Sequence, residues 1–289
     1  MDPDPCLQIT RSKQGEPEPV PETTETEPST LPPGLYVVGI GPGGMDYMCG
    51  RALEVLKSVE VVAGYTTYID LIRPLIAGKD VIRTGMMKEV DRVADAIDAA
   101  LSGKTCALVS SGDPGIYAMA GLVFDMCRER DIALSEAGGA GLFVEVVPGI
   151  PALAAGAALL GAPLTHDFAA VSLSDLLTPW ETIEKRIEAA AAADFVLAIY
   201  NPRSKKRDWQ LARAAEILLK HRSPETPVGV VTSAMRAEQS VAITTLGAFD
   251  PASADMQTTV FIGNSHTFRY GGRMVTPRGY ARKYDMVRS

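Results

Sequence analysis

The chain has 289 residues, 46% of them hydrophobic and 22% charged, with a formal net charge of −7 at pH 7. That length and apolar content support a sizeable core and two domains. The acidity, without a lysine and arginine cluster large enough to form a basic face, argues against nucleic acid as a partner, and apolar runs broken by charge or glycine well before ~18 residues give no membrane-spanning helix to expect.

The first residues, Met1-Asp2-Pro3-Asp4, lack the basic start and apolar follow-on of a secretory signal, so a cytoplasmic location is expected. Residues 1–34 hold seven acids (Asp2, Asp4, Glu16, Glu18, Glu22, Glu25, Glu27) against Arg11 and Lys13, which leaves the rest of the chain nearly neutral. This tail, rich in proline, threonine and acid, has little to bury and is expected to be disordered. From Leu35, β-branched runs at 36–40, 59–63, 80–83, 105–109 and 143–147 alternate with helix-like stretches at 45–57, 68–77, 88–102 and 116–130. Such alternation predicts parallel strands joined by crossover helices. Within 88–102, Val90, Val93, Ala94, Ile97 and Leu101 recur at three- and four-residue steps between charged residues, as on an amphipathic surface helix.

Pro148-Gly149-Ile150-Pro151 breaks the pattern, and a small-residue helix is expected over 152–160. Strands follow at 168–173, 195–200, 227–232, 241–245 and 258–262, with helices at 180–192 and 205–221. The turn-sized gap between Thr232 and Val241 predicts an antiparallel pair in this half. The expected organisation is an acidic tail (1–34), an α/β domain (35–149), a second, unlike α/β domain (150–270) and a partly ordered extension (271–289). Cys6, Cys49, Cys106 and Cys127 show no CxxC spacing, so neither a zinc ribbon, nor any other bound metal, nor a disulfide framework is expected.

Two glycine turns carry the functional reading. Gly39-Ile40-Gly41-Pro42-Gly43 and Ser110-Ser111-Gly112-Asp113-Pro114-Gly115-Ile116-Tyr117 each follow a strand, where an open α/β sheet holds its ligand. Pro42 takes a position whose amide would face pyrophosphate in a dinucleotide fingerprint, which counts against nicotinamide binding. Asp113 before Pro114 suits a turn, or an acceptor for a cationic or hydroxyl-rich ligand. Thr165-His166-Asp167 reads as an acid and base pair or as a capped turn; neighbours on a strand point to opposite faces, which limits joint action of His166 and Asp167. The basic loop Arg203-Ser204-Lys205-Lys206-Arg207 follows the apolar strand ending at Tyr200. Its four cations suit a ligand bearing several carboxylates, and their position near a helix start is unfavourable for the helix dipole.

Val38 to Gly43, Gly112-Asp113-Pro114 with Tyr117, and Val147-Pro148-Gly149-Ile150 resemble the sequence blocks of the tetrapyrrole methylases. Further stretches at 64–71, 110–117, 173–180, 200–204 and 262–265 narrow the resemblance to the precorrin-3B C17-methyltransferase branch, with coverage from about Leu35 to Tyr280. The resemblance implies the tetrapyrrole methylase fold, a homodimer, and S-adenosylmethionine bound between two α/β domains. It places Pro42, Ser111, Gly112, Asp113, Ile116 and Tyr117 on the cofactor from the first domain, and Pro151, Ala152, Asn201 and Ala234 from the second. Pro151 departs from the family block, which commonly has threonine or serine there. The implied reaction is methylation of precorrin-3B at C17 with ring contraction to precorrin-4 in cobalamin biosynthesis. For the proton steps of contraction the nearest candidates are Thr165, His166 and Asp167; for the substrate's carboxylates, Arg203, Lys205, Lys206 and Arg207. A sister methylase acting on another precorrin or on cobalt-factor III shares the cofactor loops, and a nicotinamide-linked precorrin reductase or a non-catalytic binding protein are the readings from other classes.

Overall fold

A computed structural model describes residues 31–286. Most of the expected disordered tail, with Cys6, lies outside the described residues; the chain is already placed at Pro32, whose carbonyl accepts from the Tyr36 hydroxyl at 2.8 Å.

The first domain is a parallel sheet of β1 (Gly34–Gly39), β2 (Val61–Tyr65), β3 (Asp80–Thr84), β4 (Thr105–Ser110), β5 (Leu134–Ser135) and β6 (Leu142–Val147), in the order β3-β2-β4-β1-β6-β5. Helices α1 (Gly50–Ser58), α2 (Thr66–Leu71), α3 (Glu89–Leu101) and α4 (Met119–Glu129) cover it. Because side chains alternate along a strand, β1 feeds two cores. Leu35 and Val37 pack with Val93, Ile97 and Val123 of α3 and α4, while Tyr36 and Val38 pack with Val55, Leu56 and Ile69 of α1 and α2. Central strands buried on both faces in this way are apolar throughout, which is why the sequence pattern finds them.

Several expected helices are shorter than their periodicity suggests. The stretch 45–57 splits into a 3₁₀ turn and α1, where the Cys49 sulfur accepts from the Ala52 amide at the helix start. The stretch 68–77 breaks after Leu71 into a 3₁₀ turn that begins beside Pro74, whose ring cannot continue the helix.

The second domain begins with α5 (Ala152–Leu160), followed by β7 (Gly161–Ala162), β8 (Phe168–Ser172), α6 (Trp180–Ala192), β9 (Val196–Tyr200), α7 (Gln210–Leu219), β10 (Pro227–Thr232), β11 (Ser240–Thr245), β12 (Thr258–Ile262), β13 (Phe268–Tyr270), β14 (Arg273–Val275) and α8 (Tyr280–Lys283). Its main sheet runs β11-β10-β12-β9-β8. β10 pairs antiparallel with both β11 and β12, as the short gap after Thr232 predicts, and β8 is parallel to β9. Leu197 and Ile199 join Ile183, Ile187, Leu211 and Leu218 beneath α6 and α7. On the opposite face Ala198, Val231 and Phe261 pack near Leu160 of α5, and Gly156 lets the Phe261 ring approach within 2.6 Å of where a Cβ would stand.

Segment 271–289 is not a separate extension at its start: β14 pairs with both β13 and β7 in a three-stranded sheet, so the second domain's hydrogen bonding continues past residue 270.

Candidate functional site

Three loops meet at the carboxyl ends of β1, β4 and β6. Gly41 and Gly112 exchange both backbone hydrogen bonds, N to O at 3.1 and 2.7 Å, which zips the two glycine turns together. Gly41 has φ +69° and Gly112 φ +70°, values that L side chains rarely adopt. The third loop, 148–151, lies against both, and a Cβ on Gly149 would stand 2.2 Å from the Gly112 carbonyl oxygen. Asp113 fastens this junction: Oδ1 accepts from the Gly115 amide at 2.8 Å and Oδ2 from the Gly149 amide at 3.1 Å. In this structure its carboxylate braces the loops, where the sequence also allowed direct ligand contact.

The second domain meets these loops at the start of α5, the ends of β8 and β9 and the turn after β10. Pro151 caps α5 with extended backbone and no side-chain bond, and its Cα and the Ala152 amide lie within ordinary contact distance, 3.6 and 3.7 Å, of where a Cβ on Gly112 would stand. The Tyr200 hydroxyl, at the end of β9, accepts from the Leu153 amide in the first turn of α5 at 2.9 Å. Tyr117, at φ +51°, crosses the cleft, its hydroxyl donating to the Ala170 carbonyl at 2.9 Å and its ring 5.1 Å from that of Tyr200. Asn201, at φ +50°, donates to the Ser172 hydroxyl at 2.9 Å. Ala234 sits in a turn after β10 between Ser233 (φ +50°) and Met235 (φ +60°), followed by Arg236. Pro42, Ser111, Gly112, Asp113, Ile116, Tyr117, Pro151, Ala152, Asn201 and Ala234 thus fall in loops where the two domains meet.

Arg236 has no counterpart in the sequence reading, although it stands two residues beyond Ala234. Its Nε donates to the Pro42 carbonyl at 2.6 Å and its Nη2 to the Ser111 hydroxyl at 2.9 Å, joining the domains. Nearby, burial raises the Tyr68 phenol, against a lowering by the Arg236 charge. Arg92, buried among Thr84, Gly85 and Met119, lies 5.9 Å from the Tyr65 ring centre.

Burial pushes the phenols of Tyr36 and Tyr200 up to about 12 from their ordinary 10.0. A group whose folded pKa is raised contributes stability below its unfolded pKa and loses it as pH rises to the folded value. The wild-type denaturation midpoint should therefore fall between pH 10 and 12, and a Tyr36→Phe/Tyr200→Phe variant should fall less across that window. Equal slopes for the two proteins in denaturant titrations would contradict the assignment.

Two expectations need correction. Thr165, His166 and Asp167 precede β8, and the Asp167 carbonyl accepts from Val196 at the start of β9, whereas the crevice residues Ser172 and Asn201 lie at the far ends of these strands. Five residue steps along β8 take the chain from Asp167 to Ser172, about 16 Å, so the three do not reach the interdomain loops. Thr165 instead donates to the Thr276 carbonyl. His166 and Asp167 do approach each other, Nδ1 to Oδ2 at 3.3 Å, because they occupy a turn before the strand rather than opposite faces of it.

The basic loop is the second. α7 begins at Gln210, not near 205, because Ser204 and Arg207 exchange backbone bonds in a tight turn. Arg207 is buried and turned inward, with Nε donating to the Asn201 carbonyl at 3.1 Å, and burial lowers its pKa. It supports the loop that carries Asn201 and is not presented to a carboxylate ligand. Arg203 donates to the Ala252 carbonyl at 2.8 Å, and Lys205 and Lys206 are exposed.

A parallel α/β sheet and a mixed one, clasped by glycine turns and a helix start, define the two-domain methylase class: the crystal structure of the methyltransferase CobJ matches with a TM-score of 0.78 at 37% identity, covering 86% of this chain and 100% of that one. The chain belongs to the tetrapyrrole (corrin/porphyrin) methylases, whose sequence profile matches residues 34–250. A cobalt-factor III methyltransferase of Priestia megaterium is 49% identical over 87% of this chain, which spans only 46% of that protein. A probable cobalt-factor III C(17)-methyltransferase of Salmonella typhimurium is 48% identical over 85% of this chain and 99% of its own length, and a precorrin-3B C(17)-methyltransferase of Sinorhizobium sp is 40% identical over 86% and 97%. A Thermus thermophilus uroporphyrin-III C-methyl transferase, solved with S-adenosylhomocysteine, shares the fold at 22% identity and a TM-score of 0.59, covering 80% of this chain and 97% of that one.

Proposed function

We propose that the chain transfers a methyl group from S-adenosylmethionine to C17 of a precorrin-3-level tetrapyrrole in cobalamin biosynthesis, with contraction of the macrocycle. The observation that carries this reading is the junction at which Gly41, Gly112, Gly149 and the first turn of α5 converge, within a chain 40–49% identical over most of its length to relatives named as cobalt-factor III and precorrin-3B methyltransferases. The cofactor's methionine and ribose polar groups need donors and acceptors at short range; the Gly41, Gly112 and Gly149 amides are engaged with one another and with Asp113, so these contacts fall to the remaining backbone and side-chain groups of the surrounding loops. Bound there, S-adenosylmethionine supplies an electrophilic methyl on a sulfonium.

Since the donor is already activated, the protein's task at that step is alignment. The Tyr117–Tyr200 pair and the Asp113 brace fix the walls of the crevice on both domains, and no strong base is required at this step. Methyl transfer therefore does not depend on Thr165, His166 and Asp167. Exposed Lys205 and Lys206, with Arg203 at the loop's edge, are the candidate contacts to peripheral carboxylates.

Two substrates share this chemistry, metal-free precorrin-3B and its cobalt-containing counterpart. The higher identity to relatives named for cobalt-factor III, 49% and 48% against 40% for the precorrin-3B enzyme, favours the cobalt-containing one. Mass spectrometry after incubation with each substrate and labelled methyl donor is expected to show one added methyl at C17 in a contracted ring. Labelling of neither substrate would overturn the activity, and labelling of precorrin-3B alone would reverse the preference. The homodimer belongs to the same proposal and is tested by light scattering. Among the described residues no helix is long and apolar enough to cross a membrane, and a cytoplasmic location is part of the proposal.

A further inference from the structure

We propose that Arg236 is a positioning residue that clamps the second domain onto the first domain's cofactor loops, so that cofactor affinity depends on a contact neither domain makes alone. The proposal rests on the cofactor reading above. Arg236 reaches across 194 and 125 residues of sequence to the Pro42 carbonyl and the Ser111 hydroxyl. These two groups belong to the paired glycine turns, so a single planar guanidinium holds both turns from the opposite side of the crevice. Arginine suits this, because its donors sit in a rigid fork that fixes two acceptors at once, which a lysine ammonium does not reproduce.

The surroundings are arranged for that reach. Arg236 stands on a turn with positive φ at the non-glycine residues Ser233 and Met235, conformations that persist only where neighbours over-determine them. Here the Ser233 hydroxyl donates to the Gln257 side chain at 2.8 Å, and the Met235 amide donates to the Gln239 side chain at 2.8 Å. Opposite, Gly43 leaves the space the side chain fills: a Cβ there would stand 2.5 Å from the Arg236 Cγ and 3.2 Å from the Met235 carbonyl oxygen. The guanidinium is held by two neutral acceptors, the Pro42 carbonyl and the Ser111 hydroxyl.

Calorimetric titration with S-adenosylhomocysteine tests the clamp on the full-length protein without tetrapyrrole. Arg236→Ala is expected to weaken binding about tenfold or more, as losing charge-assisted bonds does. Arg236→Lys should recover only part of the loss. Gly43→Ala, which keeps the arginine but displaces it, should reproduce most of the loss and serves where Arg236→Ala folds poorly by circular dichroism. Ser111→Ala combined with Arg236→Ala should cost less than the two single changes added, since both remove one shared contact. In turnover assays the KM for S-adenosylmethionine should rise while that for the tetrapyrrole changes little. Wild-type affinity in Arg236→Ala, with a raised tetrapyrrole KM alone, would overturn the clamp and make Arg236 a substrate contact. Failure of the wild-type protein to bind S-adenosylhomocysteine would overturn the cofactor reading, and the clamp with it.

Discussion

Asp113→Ala is expected to weaken S-adenosylhomocysteine binding by about 100-fold, the larger of the expected effects on the cofactor site. The carboxylate accepts from two backbone amides on different loops, Gly115 at 2.8 Å and Gly149 at 3.1 Å. Hydrogen bonds to a charged group contribute about 1.5–3 kcal/mol each, and 1.4 kcal/mol is a factor of ten, so losing the pair accounts for a change of that size. The effect travels through loop position: without the brace, the 148–151 loop and the start of α5 are no longer held against Gly112. Asp113→Asn separates this from direct ligand contact. Its single carbonyl oxygen can serve one amide, while its NH2 group cannot accept from the other, so an intermediate loss is expected. Calorimetry checks the order wild type, Asn, Ala; equal affinity in all three proteins would remove Asp113 from the site.

The brace illustrates what the sequence displays and what it hides. Gly112-Asp113-Pro114 announces a turn at a strand end through local chemistry, but the Gly149 amide that fills the second carboxylate oxygen is 36 residues away. Where a signal is local, the reading succeeds. The expected bounds 152–160, 180–192, 227–232 and 258–262 coincide with α5, α6, β10 and β12, because apolar strands buried on two faces and alanine-rich helices follow from composition and period. Where pairing is non-local and short, it fails. β7, β13 and β14 have two or three residues each, and Gly161 meets Met274 with no periodicity to mark either.

Charge misleads in a similar way. The four cations at 203–207 look alike in sequence, yet Arg207 is turned under the loop onto the Asn201 carbonyl while Lys205 and Lys206 face solvent. Nothing in the local sequence distinguishes a guanidinium that satisfies a carbonyl from one that awaits a ligand. Arg236 shows the converse: an arginine beside Ala237 and Glu238 reads as surface, and only the folded chain brings it to Pro42 and Ser111.

Gly149→Ala is expected to have the largest effect on stability, because the position has no space on either side. The added Cβ would lie 2.2 Å from the Gly112 carbonyl oxygen and 2.9 Å from the Gly39 carbonyl carbon and oxygen, all backbone atoms. A flexible side chain could swing away from such contacts; backbone in two other loops cannot, so β1, β4 and β6 must separate at their carboxyl ends. Overpacking costs about 1–3 kcal/mol and more where nothing yields. The displacement also stretches the Asp113 bond to the Gly149 amide, so stability and cofactor affinity should fall together. Gly121→Ala is the matched control: it lies in the exposed part of α4 with nothing within 4 Å of an added Cβ. There alanine should be neutral or stabilising by up to about 1 kcal/mol through helix propensity. Thermal unfolding of the two variants beside wild type checks the contrast. A Gly149→Ala protein that unfolds at the wild-type temperature and binds S-adenosylhomocysteine normally would mean the three loops are not packed backbone to backbone, and the crevice would lose its rigid floor.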